Sequence, residues 1–227
     1  MFLVAGLLML IACKSDKVNI KGTFENCSAK YVLLKEVLPQ EIVLLDTIAI
    51  FNGYFSYDID NENITIYKLE LNDTDFFSFI AQKGDKIELS ADLHSFDKTY
   101  AIKGNLETQL LDDSRRQLDK FDKKVKKLSA IFIQNENTEH SDSVAIRIDK
   151  AYQMYFDEHQ QYLKKIIETH PDKLASLLAF YQRLGRRALF DAQKDRYLLE
   201  LLAKNLSKNY PQSEYVIDLN NRLKYDN

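Results

Sequence analysis

The sequence predicts an α+β protein, with an N-terminal antiparallel β-sandwich or half-barrel followed by an all-helical region built on a long antiparallel helical hairpin. Two changes of pattern carry that prediction. Residues 18–104 alternate apolar and polar side chains in short runs separated by Asn, Asp and Gly, the period of half-buried strands. After Gly104 the apolar residues recur every seven positions, the period of a helix face. Composition agrees: 13 Tyr and 13 Phe without Trp suit strand packing, and six Gly and three Pro leave little room for long linkers.

Eight strands are expected in the first half, at 18–24, 30–37, 41–51, 54–59, 65–71, 76–82, 86–93 and 99–104. In "IAIFNGYFSY" (48–57), Asn52-Gly53 suits a two-residue type I′ turn. That turn would set Phe51 opposite Tyr54, Ile50 opposite Phe55 and Ile48 opposite Tyr57. Ile48, Ile50, Phe55, Tyr57 and Ile59 then share an apolar face, while Thr47, Ala49, Ser56 and Asp58 share a mixed one. Gly84-Asp85 in "QKGDKIEL" marks a second hairpin of the same sort.

In the second half, Leu111, Leu118, Val125 and Phe132 repeat at seven, with Phe121 and Leu128 between them. Val144, Ile148, Ala151, Tyr155, Tyr162 and Ile166 form a second long helix, and "QNENTEHSDS" (134–143) connects the two. Shorter helices are expected over Pro171–Leu184, Ala188–Leu206 and Ser213–Lys224, with Pro171 suited to a first turn. No internal repeat or low-complexity tract is visible.

The first 12 residues, "MFLVAGLLMLIA", are uniformly apolar and end at Cys13. They are too few to span a bilayer, which takes about 20, but they match the apolar region of a signal peptide. Leu10-Ile11-Ala12-Cys13 resembles the bacterial lipobox. The resemblance implies cleavage between Ala12 and Cys13, diacylglycerol on the Cys13 thiol and an acyl chain such as palmitate on its amine. Residues 13–17 then read as a tether, 18–104 as the β-sandwich-like domain and 105–227 as the helical domain. No Lys or Arg precedes the apolar run, the pattern of a chain whose true start lies upstream.

The remaining chemistry is sparse. Cys27 stands alone without a C-x-x-C partner, so neither a dithiol redox centre nor a cysteine zinc site is expected. His94, His140, His159 and His170 lie in separate segments without metal-ligand spacing. Asp112-Asp113 and Asp119-Asp122 read as solvated ion-pair partners on a helix, and Lys123, Lys124, Lys126 and Lys127 as its wet face. No nucleophile elbow or phosphate loop is present. Residues 13–104 carry 10 basic and 15 acidic side chains and residues 105–227 carry 21 and 19, so no basic excess points to nucleic acid.

Taken in order, "KGTF" (21–24), "YVLL" (31–34), "LLDTIAIFNGYFSY" (44–57), "KGDKIEL" (83–89) and "YAIKGNLETQLL" (100–111) resemble a known domain of unknown function. It is the domain found N-terminal to the thioredoxin-like domain of thiol-disulfide interchange lipoproteins of Gram-negative bacteria. The family's signature positions correspond here to Asp46, Gly53, Phe55, Gly84, Asp85 and Gly104, and its Tyr-Pro-x-Ser phrase to Tyr210-Pro211-Gln212-Ser213. Glycines at turns and turn-capping aspartates account for these positions structurally. The family's thioredoxin fold with its Trp-Cys-x-x-Cys is not matched in these 227 residues, so the resemblance carries over fold and location and not oxidoreductase activity. The expected function is a non-catalytic, membrane-anchored envelope lipoprotein, on the periplasmic side or the outer-membrane surface, that binds or scaffolds an envelope protein or small ligand. It needs no cofactor. The alternative is the N-terminal accessory part of a thiol-disulfide oxidoreductase whose thioredoxin-like domain is missing or encoded separately.

Overall fold

A computed structural model describes residues 16–225, so the signal-peptide expectation and Cys13 lie outside the described residues. Eight strands form first, as β1 (Val18–Glu25), β2 (Tyr31–Val37), β3 (Ile42–Ala49), β4 (Tyr54–Ile59), β5 (Thr65–Glu70), β6 (Phe76–Ala81), β7 (Lys86–Asp92) and β8 (Ala101–Lys103). A single helical turn, α1 (Phe96–Thr99), lies between the last two. The strands make two four-stranded sheets, ordered β4-β1-β7-β8 and β3-β2-β5-β6. Alternation works as expected: Val18, Ile20 and Phe24 of β1 face inward and are buried. Phe77 stacks between Phe24 and Tyr100, with ring centroids 5.8 and 4.8 Å away, in the interior between the sheets.

The two Gly turns behave differently from the expectation. Asn52 and Gly53 have φ of 51° and 75°, the type I′ geometry, and Phe51 and Tyr54 exchange both backbone hydrogen bonds at 2.9 Å. Pairing stops there. Ile50 does not face Phe55, nor Ile48 Tyr57; β3 pairs with β2, while β4 pairs with β1, setting Phe55 opposite Gly22 and Tyr57 opposite Ile20. Each strand has another partner: β4 continues the ladder of β1, where the missing Cβ of Gly22 makes room for Phe55, and β3 that of β2. Ile48, Ile50, Phe55 and Ile59 so reach one interior from two sheets. Gly84-Asp85 is likewise a corner, carrying the chain from β6 to the other sheet, where β7 runs parallel to β1. The sandwich is therefore mostly, not wholly, antiparallel.

Among the described residues five helices follow β8. After α1 come α2 (Leu106–Asn135), α3 (Ser141–Thr169), α4 (Leu174–Tyr181), α5 (Arg196–Asn209) and α6 (Glu214–Tyr225). The first two are the expected hairpin. The expected helices over 171–184 and 188–206 are shorter than predicted, because residues 183–195 take another path. β9 (Arg183–Leu184) and β10 (Arg187–Ala188) form a small ribbon around Gly185, whose φ is 58°. Phe190 stacks on Phe180 with centroids 5.3 Å apart, and the Asp191 carboxylate accepts from the backbone of Gln193 and Lys194. A repeat invisible in the sequence also emerges. His170 after α3 and Tyr210 after α5 adopt nearly the same backbone angles, each precedes a Pro, and each carbonyl accepts from the residue three further on. The two helix–proline turn–helix units are thus built alike, with Pro171 and Pro211 in the turn and not in the helical first turn.

The helices cover the outer face of the second sheet. Ile66 and Ile80 point outward into the helical interior, while their neighbours Tyr67 and Phe79 point into the sandwich. β5 is buried on both faces, so it reads as a nearly continuous buried strand. Where β2 diverges from β5, the Tyr215 hydroxyl of α6 fills the gap: it donates to Val37 O at 2.6 Å and accepts from Ile66 N at 3.1 Å. Burial pushes that phenol up to about 12, so it holds its proton. Replacing Tyr215 with Phe strands two backbone groups, and a loss of about 1–3 kcal/mol in urea unfolding is expected; an unchanged midpoint would show that the hydroxyl does not join the layers.

Candidate functional site

The signature positions resolve into structural roles. The Asp46 carboxylate accepts from Thr47 N at 2.7 Å and from the Tyr57 hydroxyl at 2.6 Å, tying β3 to β4 across the sandwich. Those bonds hold its pKa below the ordinary value. At Gly53 a Cβ would lie 2.1 Å from Phe24 O. The Phe55 ring occupies the space a Cβ on Gly22 would need, at 2.0 Å. Gly84 has φ of 89°, and Asp85 accepts from Gln82 N at 2.9 Å. Gly104 departs from the expected reason. It has no positive φ; a Cβ there would stand 2.6 Å from Ile87 Cδ1.

The titratable groups are also engaged. Asp112 is not solvated as expected: it is buried and paired with Arg116 at 2.7 Å and Arg115 at 3.7 Å, the latter guanidinium lying over the Tyr100 ring. Lys124 crosses the hairpin to Glu158 at 2.7 Å. Glu107, unremarked in the sequence, is buried and caps α4 from another helix, accepting from Leu174 N at 3.0 Å and Ala175 N at 2.9 Å. Cys27 is half-buried beside the sandwich interior, its thiol 3.5 Å from Ala29 O. Among the described residues no three His, Cys, Asp or Glu side chains gather into a metal-binding group.

His159 is the most buried histidine, at 1% exposure. Its Nε2 lies 2.7 Å from Gln182 Oε1 and its ring 5.7 Å from that of Phe121. Burial lowers its pKa, outweighing Gln182, Asp122 and Glu158, which act the other way.

An open apolar surface lies on the hairpin. Val125, Leu128, Phe132 and Ile133 of α2, with Ala145, Ile148 and Tyr152 of α3, line an apolar groove of about 460 Å³ at the far end of the hairpin. Their spacing of three, four and seven puts them on one face. Nearer the body the same face is covered: Phe121, Phe156 and Leu163 are buried in the helical interior with α4. The cover ends at the ribbon, where Arg187 lies 3.7 Å from the Phe156 ring and 6.0 Å from that of Tyr152. Beyond it Phe132 is 43% and Ile133 65% exposed. The heptad places Phe132 in the helix seam, whereas the run Ile131-Phe132-Ile133 at a helix end is the local sign of an open surface. No described helix is long and apolar enough to cross a membrane.

Fold and site together define a β-sandwich with a helical cap and an exposed apolar groove on a projecting hairpin. Residues 18–111, both sheets and the start of α2, match the family described as a domain of unknown function (DUF4369). No curated protein and no solved structure matches the chain.

The His159 environment has a pH consequence. Its folded pKa lies below the unfolded value of about 6.5, so the unfolded chain takes up the proton first as pH falls. Stability is therefore expected to decline below about pH 6.5, and His159→Gln to flatten that part of the profile; an identical profile in the variant would contradict the assignment.

Proposed function

We propose that this protein is a non-catalytic binding or scaffolding module, held at the bacterial cell envelope by lipid on Cys13, with the hairpin groove as its contact surface. The groove is the observation that carries this reading. It is an apolar, two-helix surface left uncovered where the same face nearer the body is buried, and exposed apolar patches of that kind mark interaction sites. The apolar run ending at Cys13 supports the cellular setting. Asp46, Glu107, Asp112 and His159 serve caps, ion pairs and hydrogen bonds, and no reaction is assigned to them.

Metabolic labelling with a palmitate analogue tests the anchor. Label on the wild type and its loss in Cys13→Ser, with release from membranes, is the expected result; equal labelling of both rejects the lipid. A photo-crosslinking amino acid in place of Phe132 tests the groove in intact cells. Adducts are expected there and not with the same substitution at Ser56, which lies on the exposed face of β4. Equal capture at both positions, or none, rejects the groove as a contact surface.

The ordered motifs from Lys21 to Leu111 favour a second reading, the accessory portion of a thiol-disulfide oxidoreductase. A Trp-Cys-x-x-Cys segment encoded beside or after codon 227 would favour it over the first.

A further inference from the structure

The two ends of the groove carry opposite charge. At the inner end sits the β9–β10 ribbon with Arg183, Arg186 and Arg187, all exposed. At the outer end the hairpin loop and the start of α3 carry Glu136, Glu139 and Asp142, also exposed. Among the described residues none of these six joins an ion pair. Tyr152, beside Arg187, is eleven residues from Ser141 along α3, which places the two charged ends about 16 Å apart. Between them the surface is mostly apolar, with Ser129 and Asp149 its polar members, and Ser129, Ala145 and Ile148 lie near its middle.

We infer that the groove is filled by the same groove of a second copy of this chain, the two hairpins packing antiparallel about a twofold axis near Ser129 and Ala145. The inference rests on the reading of the groove as a contact surface and names its occupant. A twofold interface is self-complementary, so whatever one end presents must fit what the other end presents. Antiparallel overlap brings the acidic loop of each copy onto the arginine ribbon of the other and sets apolar stripe against apolar stripe. Small Ala145 at the crossing lets the helices approach. An acidic loop at the tip also opposes insertion into an anionic bilayer surface. The overlap is about 16 Å long and two helices wide, a footprint below about 1,200 Å² that gives weak association in solution. Anchoring both copies in one membrane raises their effective concentration and makes that affinity sufficient.

Ser129→Cys in a Cys27→Ser background, expressed as the full chain and oxidised in membranes, tests this. A disulfide-linked dimer is expected, absent when the cysteine is placed at Ser56. Glu136→Lys/Glu139→Lys/Asp142→Lys, confined to the exposed tip, is expected to cut the yield at least tenfold. Adding Arg183→Glu, Arg186→Glu and Arg187→Glu is expected to restore it. No dimer, a dimer indifferent to the acidic triple change, or failure of the double set to restore it overturns the inference; circular dichroism of each variant confirms the fold is retained. The parent reading is separable. Phe132 adducts containing only a different polypeptide reject self-association and keep the groove as a contact surface, whereas no adducts reject both.

Discussion

The first turn of α2 is the constraint on which the rest of the structure hangs. β6 is an edge strand, and an unpaired edge with a buried outer face leaves backbone groups without water. Thr108 answers at Ile80, accepting from its N–H at 3.2 Å and donating to its carbonyl at 2.9 Å. Asn105 adds a second bond to the Ile80 carbonyl at 3.0 Å, caps α2 through Thr108 N at 2.8 Å, and holds Asp85 at 2.5 Å. Two residues beyond Asn105, Glu107 reaches the start of α4. Burial raises its pKa, the cost of placing a carboxyl there, and the two amides it accepts from offset part of that cost. Five residues, Gly104 to Thr108, thus lock the sandwich, the long hairpin and the helical cap together.

From that junction follows the layered arrangement. The second sheet serves two interiors at once, and the alternate residues of β5 and β6 are divided between them. Polar stitching concentrates where strand ladders end, with Tyr215 at the end of β2 and Thr108 at the edge of β6, and α2 adds Arg116, which donates to Tyr100 O, and Arg115 over the Tyr100 ring. The hairpin leaves this frame along a face that is covered as far as the ribbon and bare beyond it, so the open groove is a continuation of the protein's own core packing.

Much of this was legible in the sequence, for definite reasons. Strands with one solvated face announce themselves by alternation, and the eight expected runs all appear. The long helices were readable from Leu111, Leu118 and Val125 because one stripe faces the core along most of their length. The corners at Asn52-Gly53 and Gly84-Asp85 were not, since the same local turn serves a hairpin or a change of sheet, and the long-range pairing of β3 with β2, and of β4 and β7 with β1, decides. Leu184, Leu189 and Phe190 fall within the two expected helices, yet they are buried by tertiary contacts around a ribbon that turns at a single glycine. Glu107 and the α4 amides it caps stand 67 and 68 residues apart, beyond any local signal. Whether Phe132 is core or surface depends on where the covering elements stop, which no heptad records.

The chain enters the described body beside the root of the hairpin. Lys17 O accepts from Gly84 N at 3.3 Å, and Asp85 next to it holds Asn105. From there α2 runs 30 residues, about 45 Å, as one uninterrupted rod. Entry point and hairpin tip are therefore separated by a ruler whose length is written in helix turns. Lengthening both arms by seven residues would move the tip outward by about 10 Å while keeping the same stripe facing the same way. Reach and binding chemistry can be tuned independently in such a design, one by the number of turns and the other by the few side chains at the end.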